Sequence, residues 1–94
     1  MTGLNVTGRS VLVTGANGGI GRGIVDSFLA HGANVIAHYR GASSAPPQLR
    51  NCFLDPERIA FVTGDIRNET ECQDIVAQAT AAFGTLDALV NNAG

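Results

Sequence analysis

The chain has 94 residues, of which 45% are hydrophobic and 15% are charged, and its formal net charge is −2. Such a composition is too apolar for a disordered segment, and the length limits the chain to one small domain or part of one. The six basic residues are scattered arginines, which argues against a nucleic-acid partner, and no run approaches the ~18 apolar residues of a membrane-spanning helix.

The first 39 residues predict a complete βαβ unit. A short buried strand is predicted at residues 10–14, and a continuous apolar run predicts a second strand at residues 34–39. Between them, apolar residues spaced by four positions predict a helix from Gly19 to His31, which Gly32 closes. The apolar positions of this helix are Ile20, Ile24, Val25, Phe28 and Leu29.

The middle of the chain predicts mainly loop. Residues 41–58 are rich in serine and proline, and we expect at most a short helix around residues 48–53. A third strand is predicted directly afterwards, at residues 59–63.

The last third of the chain predicts a second long helix and a fourth strand. Residues 70–73, with the sequence Thr-Glu-Cys-Gln, match a capping box at the helix start, and Gly84 is placed to end the helix. Residues 86–90 predict the fourth strand, so strands alternate with helical crossovers, as in an α/β fold with a parallel sheet. The predicted buried face of this helix carries Cys72, Ile75, Val76, Ala79 and Phe83.

The cysteines and histidines do not indicate a metal site. Cys52 and Cys72 have neither a metal-binding nor a disulfide-scaffold spacing, and His31 and His38 lack cysteine or carboxylate partners at ligand spacing. The sequence does not open with a basic segment followed by an apolar run. We therefore expect reduced thiols, ordinary structural roles for both histidines, and a cytoplasmic location.

The glycines between the first strand and the first helix predict a phosphate-binding turn. Gly15 would make the tight exit from the strand, Gly19 would allow close approach of a pyrophosphate, and Gly21 would let the helix pack on the sheet. The helix dipole and free N–H groups at the helix start stabilise negative charge. The chain has no lysine, which excludes a P-loop. The alternative is a glycine-rich turn that binds nothing.

Three motifs in order resemble the signature of the short-chain dehydrogenase/reductase family. They are residues 14–21 (TGANGGIG), residues 64–66 (GDI) and residues 91–94 (NNAG). In this order and spacing, the resemblance extends over essentially the whole chain. The resemblance implies a Rossmann-like, doubly wound parallel sheet, whose strand order in the family is 3-2-1-4-5-6-7. Residues 1–94 would supply the first four strands, in the order 3-2-1-4, and so an incomplete NAD(P)-binding domain.

The resemblance assigns nucleotide contacts to three turns, each of which follows a strand. The implied contacts are with the pyrophosphate and its ribose (Asn17, Gly18, Ile20), with adenine (Asp65, Ile66) and with the adenosine ribose (Asn92, Ala93, Gly94). Asn91 would mainly tie the fourth strand to its neighbours. For Asp65, the alternative is a strand-end turn residue or a helix cap.

The end of the second strand favours NADP over NAD. An acidic side chain there would accept hydrogen bonds from the 2′-hydroxyl of NAD, but this strand ends in Tyr39 and Arg40, and no acid follows before Asp55. Arg40 can pair with a 2′-phosphate through its planar guanidinium, Ser43 can add a hydroxyl, and Tyr39 lies beside this phosphate site. Arg22 is a weaker candidate for the same phosphate. The alternative for Arg40 is a solvated strand-end residue.

The resemblance implies hydride transfer between a nicotinamide and a carbonyl or alcohol. The family's catalytic tyrosine, lysine, serine and further asparagine normally follow the segment that matches this chain, so no residue here is assigned a catalytic role. We expect a truncated, NADP(H)-binding amino-terminal portion of an oxidoreductase that is inactive alone. The alternatives are a stand-alone nucleotide-binding or regulatory module, and a remnant that binds nothing.

The fourth strand predicts how the isolated chain behaves in solution. As the last strand of an incomplete sheet it would present an apolar edge, and such edges pair with other chains. We expect marginal stability and self-association through this strand.

Overall fold

A computed structural model describes residues 6–16, 19–40 and 56–92. In this part of the chain, four parallel strands alternate with two α-helices and one short 3₁₀ helix, Pro56–Arg58. The predicted short helix around residues 48–53 lies outside the described residues. The strands are β1 (Ser10–Val13), β2 (Asn34–Tyr39), β3 (Ile59–Thr63) and β4 (Ala88–Val90), and the helices are α1 (Gly19–Ala30) and α2 (Glu69–Phe83).

The sheet has the strand order β3-β2-β1-β4, and every neighbouring pair is parallel. Val11 in β1 lies opposite Val35 in β2 on one side and opposite Ala88 in β4 on the other. The predicted order 3-2-1-4 and the Rossmann-like parallel sheet are therefore confirmed.

Two apolar cores cover the two faces of the sheet, because successive strand residues point to opposite sides. One core contains Val11 and Val13 from β1 and packs against Val25 and Leu29 of α1. The other contains Leu12, Ile36 and Val62 from three strands and packs against Ile75 and Ala79 of α2. Each helix thus buries one face of the same sheet, which is the doubly wound arrangement.

The carboxyl end of α1 is closed by the predicted glycine. The helix ends at Ala30, one residue before the predicted His31, and Gly32 has a left-handed φ of 90°. The N–H groups of Gly32 and Ala33 donate to the carbonyls of Leu29 (3.1 Å) and Phe28 (3.0 Å). This is the Schellman arrangement, which satisfies carbonyls that the helix itself leaves unpaired.

The predicted capping box at Thr70 is wrong, because α2 begins earlier. Asn68 is the N-cap, and its Oδ1 accepts a hydrogen bond from the N–H of Glu71 at 3.1 Å. Asparagine is the stronger N-cap residue, so it takes this role from the threonine two positions later. The carboxyl end is as predicted, with Gly84 left-handed at φ 84°. Val76, predicted on the buried face, is exposed.

The fourth strand is shorter than predicted, since it begins at Ala88 and not at residue 86. Just before it, the carboxylate of Asp87 accepts a hydrogen bond from the N–H of Ser10 at 2.8 Å. A side chain therefore occupies the backbone donor that a longer β4 would use for pairing. None of the described helices is both long and apolar enough to cross a membrane.

Candidate nucleotide-binding site

The predicted site residues gather where the four parallel strands end. In open α/β sheets, ligands bind in the crevice outside the carboxyl ends of the strands. The described residues that lie at or next to these ends are Gly15, Gly19, Ile20, Gly21, Tyr39, Arg40, Asp65, Ile66 and Asn92. The predicted contacts that lie outside the described residues are Asn17, Gly18, Ser43, Ala93 and Gly94.

Gly15, the first residue of the glycine turn, is held from both neighbouring strands. Its φ is 64°, a left-handed value that favours glycine. Its N–H donates to Nδ1 of His38, a residue of β2, at 3.2 Å. Its carbonyl accepts from Nδ2 of Asn92 at 3.2 Å, just after β4. Contacts from β2 and from the turn after β4 therefore hold Gly15 in place.

Gly21 fits where no larger residue could. A Cβ built on it would lie 2.8 Å from Cα of Ala16 and 2.9 Å from Nδ2 of Asn92, and it would also collide with the carbonyl oxygen of Gly15. The close approach that Gly21 allows is therefore between the helix start and the turns after β1 and β4, at the end of the sheet where packing was predicted. Among the described residues, no atom lies within 4 Å of a Cβ built on Gly19, so this part of the chain leaves the helix start open on that side.

Ile20 was predicted on the apolar face of the first helix, and that placement is wrong. The residue is 76% exposed, and Gly21 is buried in its place. Because α1 begins at Gly19, Ile20 lies in the first turn, beside backbone N–H groups that have no partner within the helix. No acidic residue lies in that turn, so no local negative charge opposes a bound anion there.

The turn after β4 is fastened to the glycine turn through Thr14. The N–H of Asn92 donates to the Thr14 hydroxyl at 3.0 Å, and the N–H of Thr14 donates to the carbonyl of Val90 at 3.1 Å. The same hydroxyl lies 3.3 Å from two acceptors, the Val90 carbonyl and Oδ1 of Asn91. The first and third predicted motifs therefore form one hydrogen-bonded unit.

Charged side chains meet at the ends of β2 and β3. Asp65 accepts hydrogen bonds from Arg67 through both carboxylate oxygens, at 3.0 Å from Nε and 3.0 Å from Nη2. Nη2 of Arg40 lies 3.8 Å from the same carboxylate, and the Arg40 side chain is 68% exposed. Arg67 is not among the site residues predicted from the sequence. Its sequence signal is its position two residues after Asp65, directly after the second motif.

His38 is the second functional candidate that sequence analysis missed. It is 1% exposed, and its Nε2 lies 2.7 Å from the carbonyl oxygen of Gly64, directly before Asp65. The feature of the sequence that could have indicated His38 is that a polar residue follows the apolar run of β2. Tyr39, predicted beside the phosphate site, is 3% exposed and packs in the core on the α1 side. Within the described ranges, no group of three potential ligands could hold a metal ion.

Comparisons with known proteins agree with this geometry. A family model described as short chain dehydrogenase matches residues 9–94. The L-rhamnose 1-dehydrogenase (NAD(P)(+)) of Sphingomonas sp. (strain SKA58) is 41% identical over 91 residues, which cover 93% of this chain and 35% of that enzyme. The chain thus spans about a third of the length of this curated relative.

Solved structures also match nearly the whole chain and a minor part of their own length. The apo glucose dehydrogenase of Caenorhabditis elegans superposes with a TM-score of 0.83 at 28% identity, over 97% of this chain and 40% of that one. A 3-ketoacyl-(acyl-carrier-protein) reductase from Brucella melitensis, complexed with NADH, gives a TM-score of 0.78 at 28% identity, over 89% and 33%. Both similarities cover nearly the whole chain and a minor part of the larger protein.

Proposed function

Because the chain belongs to the short chain dehydrogenase family, we propose that it is the amino-terminal, NADP(H)-binding portion of a cytoplasmic oxidoreductase acting on a carbonyl or alcohol. The nicotinamide, when bound, donates or accepts the hydride. The residues of this chain bind and orient the dinucleotide. The observation that carries the proposal is at the glycine turn, where Gly15 is held by His38 and Asn92 and α1 begins at Gly19.

The glycine turn and the start of α1 suit a pyrophosphate. Because α1 follows β1, its first turn begins after the carboxyl end of that strand, and its unpaired N–H groups and the helix dipole provide partial positive charge for an anion. The open side of Gly19 leaves room for a phosphate close to the backbone. The exposed side chain of Ile20 offers an apolar surface beside it. Family resemblance adds Asn17 and Gly18 to these contacts.

Arg40 supports NADP(H) over NAD(H). Its guanidinium is exposed, and its distance of 3.8 Å from Asp65 is too long for a strong hydrogen bond. Asp65 already has a closer partner in Arg67. A 2′-phosphate at the end of β2 would therefore gain Arg40 as a partner without leaving Asp65 unpaired. The relatives' names cover both cofactors, since one enzyme is named for NAD(P)(+) and one structure contains NADH.

Binding without catalysis is the alternative, and one observation favours it. In the described part of the chain, Gly15 is hydrogen-bonded to His38 and Asn92, and Thr14 is hydrogen-bonded to Asn92. These contacts come from this chain itself, which supports a nucleotide-binding or regulatory module.

The test is a thermal-shift titration of the 94-residue chain with NADP⁺ and with NAD⁺, because a ligand that binds only the folded state raises the melting midpoint. We expect a larger rise with NADP⁺. Arg40→Ala should weaken NADP⁺ binding by roughly tenfold or more, the value of one charge-assisted hydrogen bond, and leave NAD⁺ binding unchanged. Arg9→Ala is the matched control, since Arg9 is exposed, pairs with Asp87 and precedes β1 at the opposite edge of the sheet.

The outcomes separate the two parts of the proposal. If neither nucleotide raises the midpoint, the chain does not bind a dinucleotide and the proposed function fails. If both raise it equally and Arg40→Ala changes neither, binding stands and the preference for NADP(H) is wrong.

A further inference from the structure

His38 is a polar residue among the buried positions of β2, where it follows the aliphatic Val35, Ile36 and Ala37. The strand reads Asn-Val-Ile-Ala-His-Tyr, and its last five residues are all buried. A buried imidazole costs free energy unless both ring nitrogens find partners, whereas an aliphatic residue would fill the same space without that cost. The two hydrogen-bond partners of the ring therefore indicate why a histidine, and not an aliphatic residue, is useful at this position.

Both partners of His38 are backbone groups in turns that carry predicted nucleotide contacts. Nδ1 accepts from the N–H of Gly15 at 3.2 Å, in the glycine turn after β1. Nε2 lies 2.7 Å from the carbonyl oxygen of Gly64, in the turn after β3. The first turn leads to the start of α1 and the second leads to Asp65. One imidazole thus bridges the two turns, 23 residues away in one direction and 26 in the other.

The partners also fix the protonation of the ring. The Gly15 N–H can only donate, so Nδ1 has to accept and carries no proton. The Gly64 carbonyl can only accept, so Nε2 carries the proton and donates it. The bridge therefore requires a neutral ring in the Nε2–H tautomer.

Backbone contacts support the same bridge. The carbonyl of His38 accepts from the N–H of Ala16 at 2.7 Å, and the carbonyl of Tyr39 accepts from the N–H of Gly64 at 3.4 Å. The turn at Gly64 is confined from the other side as well, because a Cβ there would lie 2.8 Å from Cδ1 of Ile75 in α2. Neither turn can shift without breaking contacts to the end of β2.

We propose that His38 is a positioning residue that sets the distance between the pyrophosphate subsite at the glycine turn and the adenine subsite at Asp65. This rests on the proposed function for the identity of the ligand. A dinucleotide spans both subsites, so its affinity depends on their relative placement as well as on each subsite alone. The affinity of a ligand that occupies only one subsite does not depend on the distance between the two.

The first experiment needs no ligand. Long-range ¹H–¹⁵N correlation spectra of the full chain should show one histidine as the Nε2–H tautomer, with a slowly exchanging Gly15 amide. The chain has two histidines, and His31→Asn assigns the signals, because His31 is exposed at the end of α1. A His38 ring in the Nδ1–H tautomer, or a rapidly exchanging Gly15 amide, would overturn the bridge whether or not any dinucleotide binds.

The second experiment separates positioning from general stability. His38→Asn keeps an acceptor near the Nδ1 position, and His38→Gln keeps a donor near the Nε2 position, so each preserves one half of the bridge. We expect either variant to weaken NADP⁺ binding by at least about fivefold, the lower end of typical coupling between sites. Binding of 2′-AMP and of inorganic pyrophosphate, each measured alone by calorimetry, should change by less than about twofold, within the usual scatter of small effects.

The binding measurements distinguish a positioning role of His38 from a purely structural one. Equal losses for NADP⁺ and for both single-subsite ligands would show that His38 only stabilises the fold, which overturns the proposal. An NADP⁺ affinity that neither variant changes would also overturn it. If the native chain binds no dinucleotide, the proposed function fails, whereas the Nε2–H tautomer with a protected Gly15 amide would still support the coupling of the two turns.

Discussion

At the scale of single residues, Gly21 and Gly23 lie in the same helix but in different surroundings. A Cβ on Gly21 would meet Ala16, Asn92 and the carbonyl of Gly15, whereas a Cβ on Gly23 would meet no atom of the described residues within 4 Å. Gly21 is needed because the helix start lies against two turns at once. Gly23 is a helix-interior glycine that carries only the entropic cost of its flexibility.

The pair therefore predicts opposite effects of the same substitution. Gly21→Ala should lower the free energy of unfolding by about 1–3 kcal/mol, as overpacking does, and displace the glycine turn. Gly23→Ala should raise the free energy of unfolding by about 0.5–1 kcal/mol, because alanine favours the helix. Urea unfolding followed by circular dichroism measures both. A Gly21→Ala chain as stable as the native one would contradict the packing described above.

At the scale of elements, the start of α2 tests which residue caps the helix. The side chain of Asn68 accepts from the Glu71 N–H, and Thr70 lies inside the first turn and is exposed. Asn68→Ala should lower the free energy of unfolding by about 1 kcal/mol, the usual cost of losing an N-cap. Thr70→Ala should change it by less than about 0.5 kcal/mol, as surface substitutions do. A larger loss with Thr70→Ala, measured by the same urea unfolding, would restore the capping box predicted from the sequence.

The elements themselves could be predicted because their signals are local. Apolar periodicity and closing glycines such as Gly32 and Gly84 lie within or next to the segments that they define. The errors at element ends arise where side chains compete with backbone groups, as Asn68 and Asp87 do. The bridge through His38 could not be predicted, since its partners lie far away in sequence and meet it only after the sheet has formed.

At the scale of the whole molecule, the candidate site depends on all four strands. Asn92 and Thr14 join β4 to β1 across 78 residues, and His38 joins the turns after β1 and β3. Dinucleotide binding and folding should therefore be coupled in this chain.

The sheet leaves an apolar side chain exposed at the edge strand β4. Leu89 lies opposite Leu12, on the side of the sheet that α2 covers. Because α2 packs over β2 and β3, it leaves Leu89 59% exposed. Among the described strands, β4 is also an edge and pairs only with β1. An apolar side chain at an unpaired edge favours association with another chain.

We expect the 94-residue chain to self-associate through this edge, with an average mass in sedimentation equilibrium that rises with protein concentration. Leu89→Lys should shift the chain toward monomer, because a lysine on an edge strand opposes pairing. Val76→Lys is the matched control, since Val76 is also an exposed apolar residue but lies on α2. A native chain that stays monomeric and unfolds cooperatively above ~60 °C, near the upper end for mesophilic domains, would contradict both the association and the marginal stability expected of an open sheet.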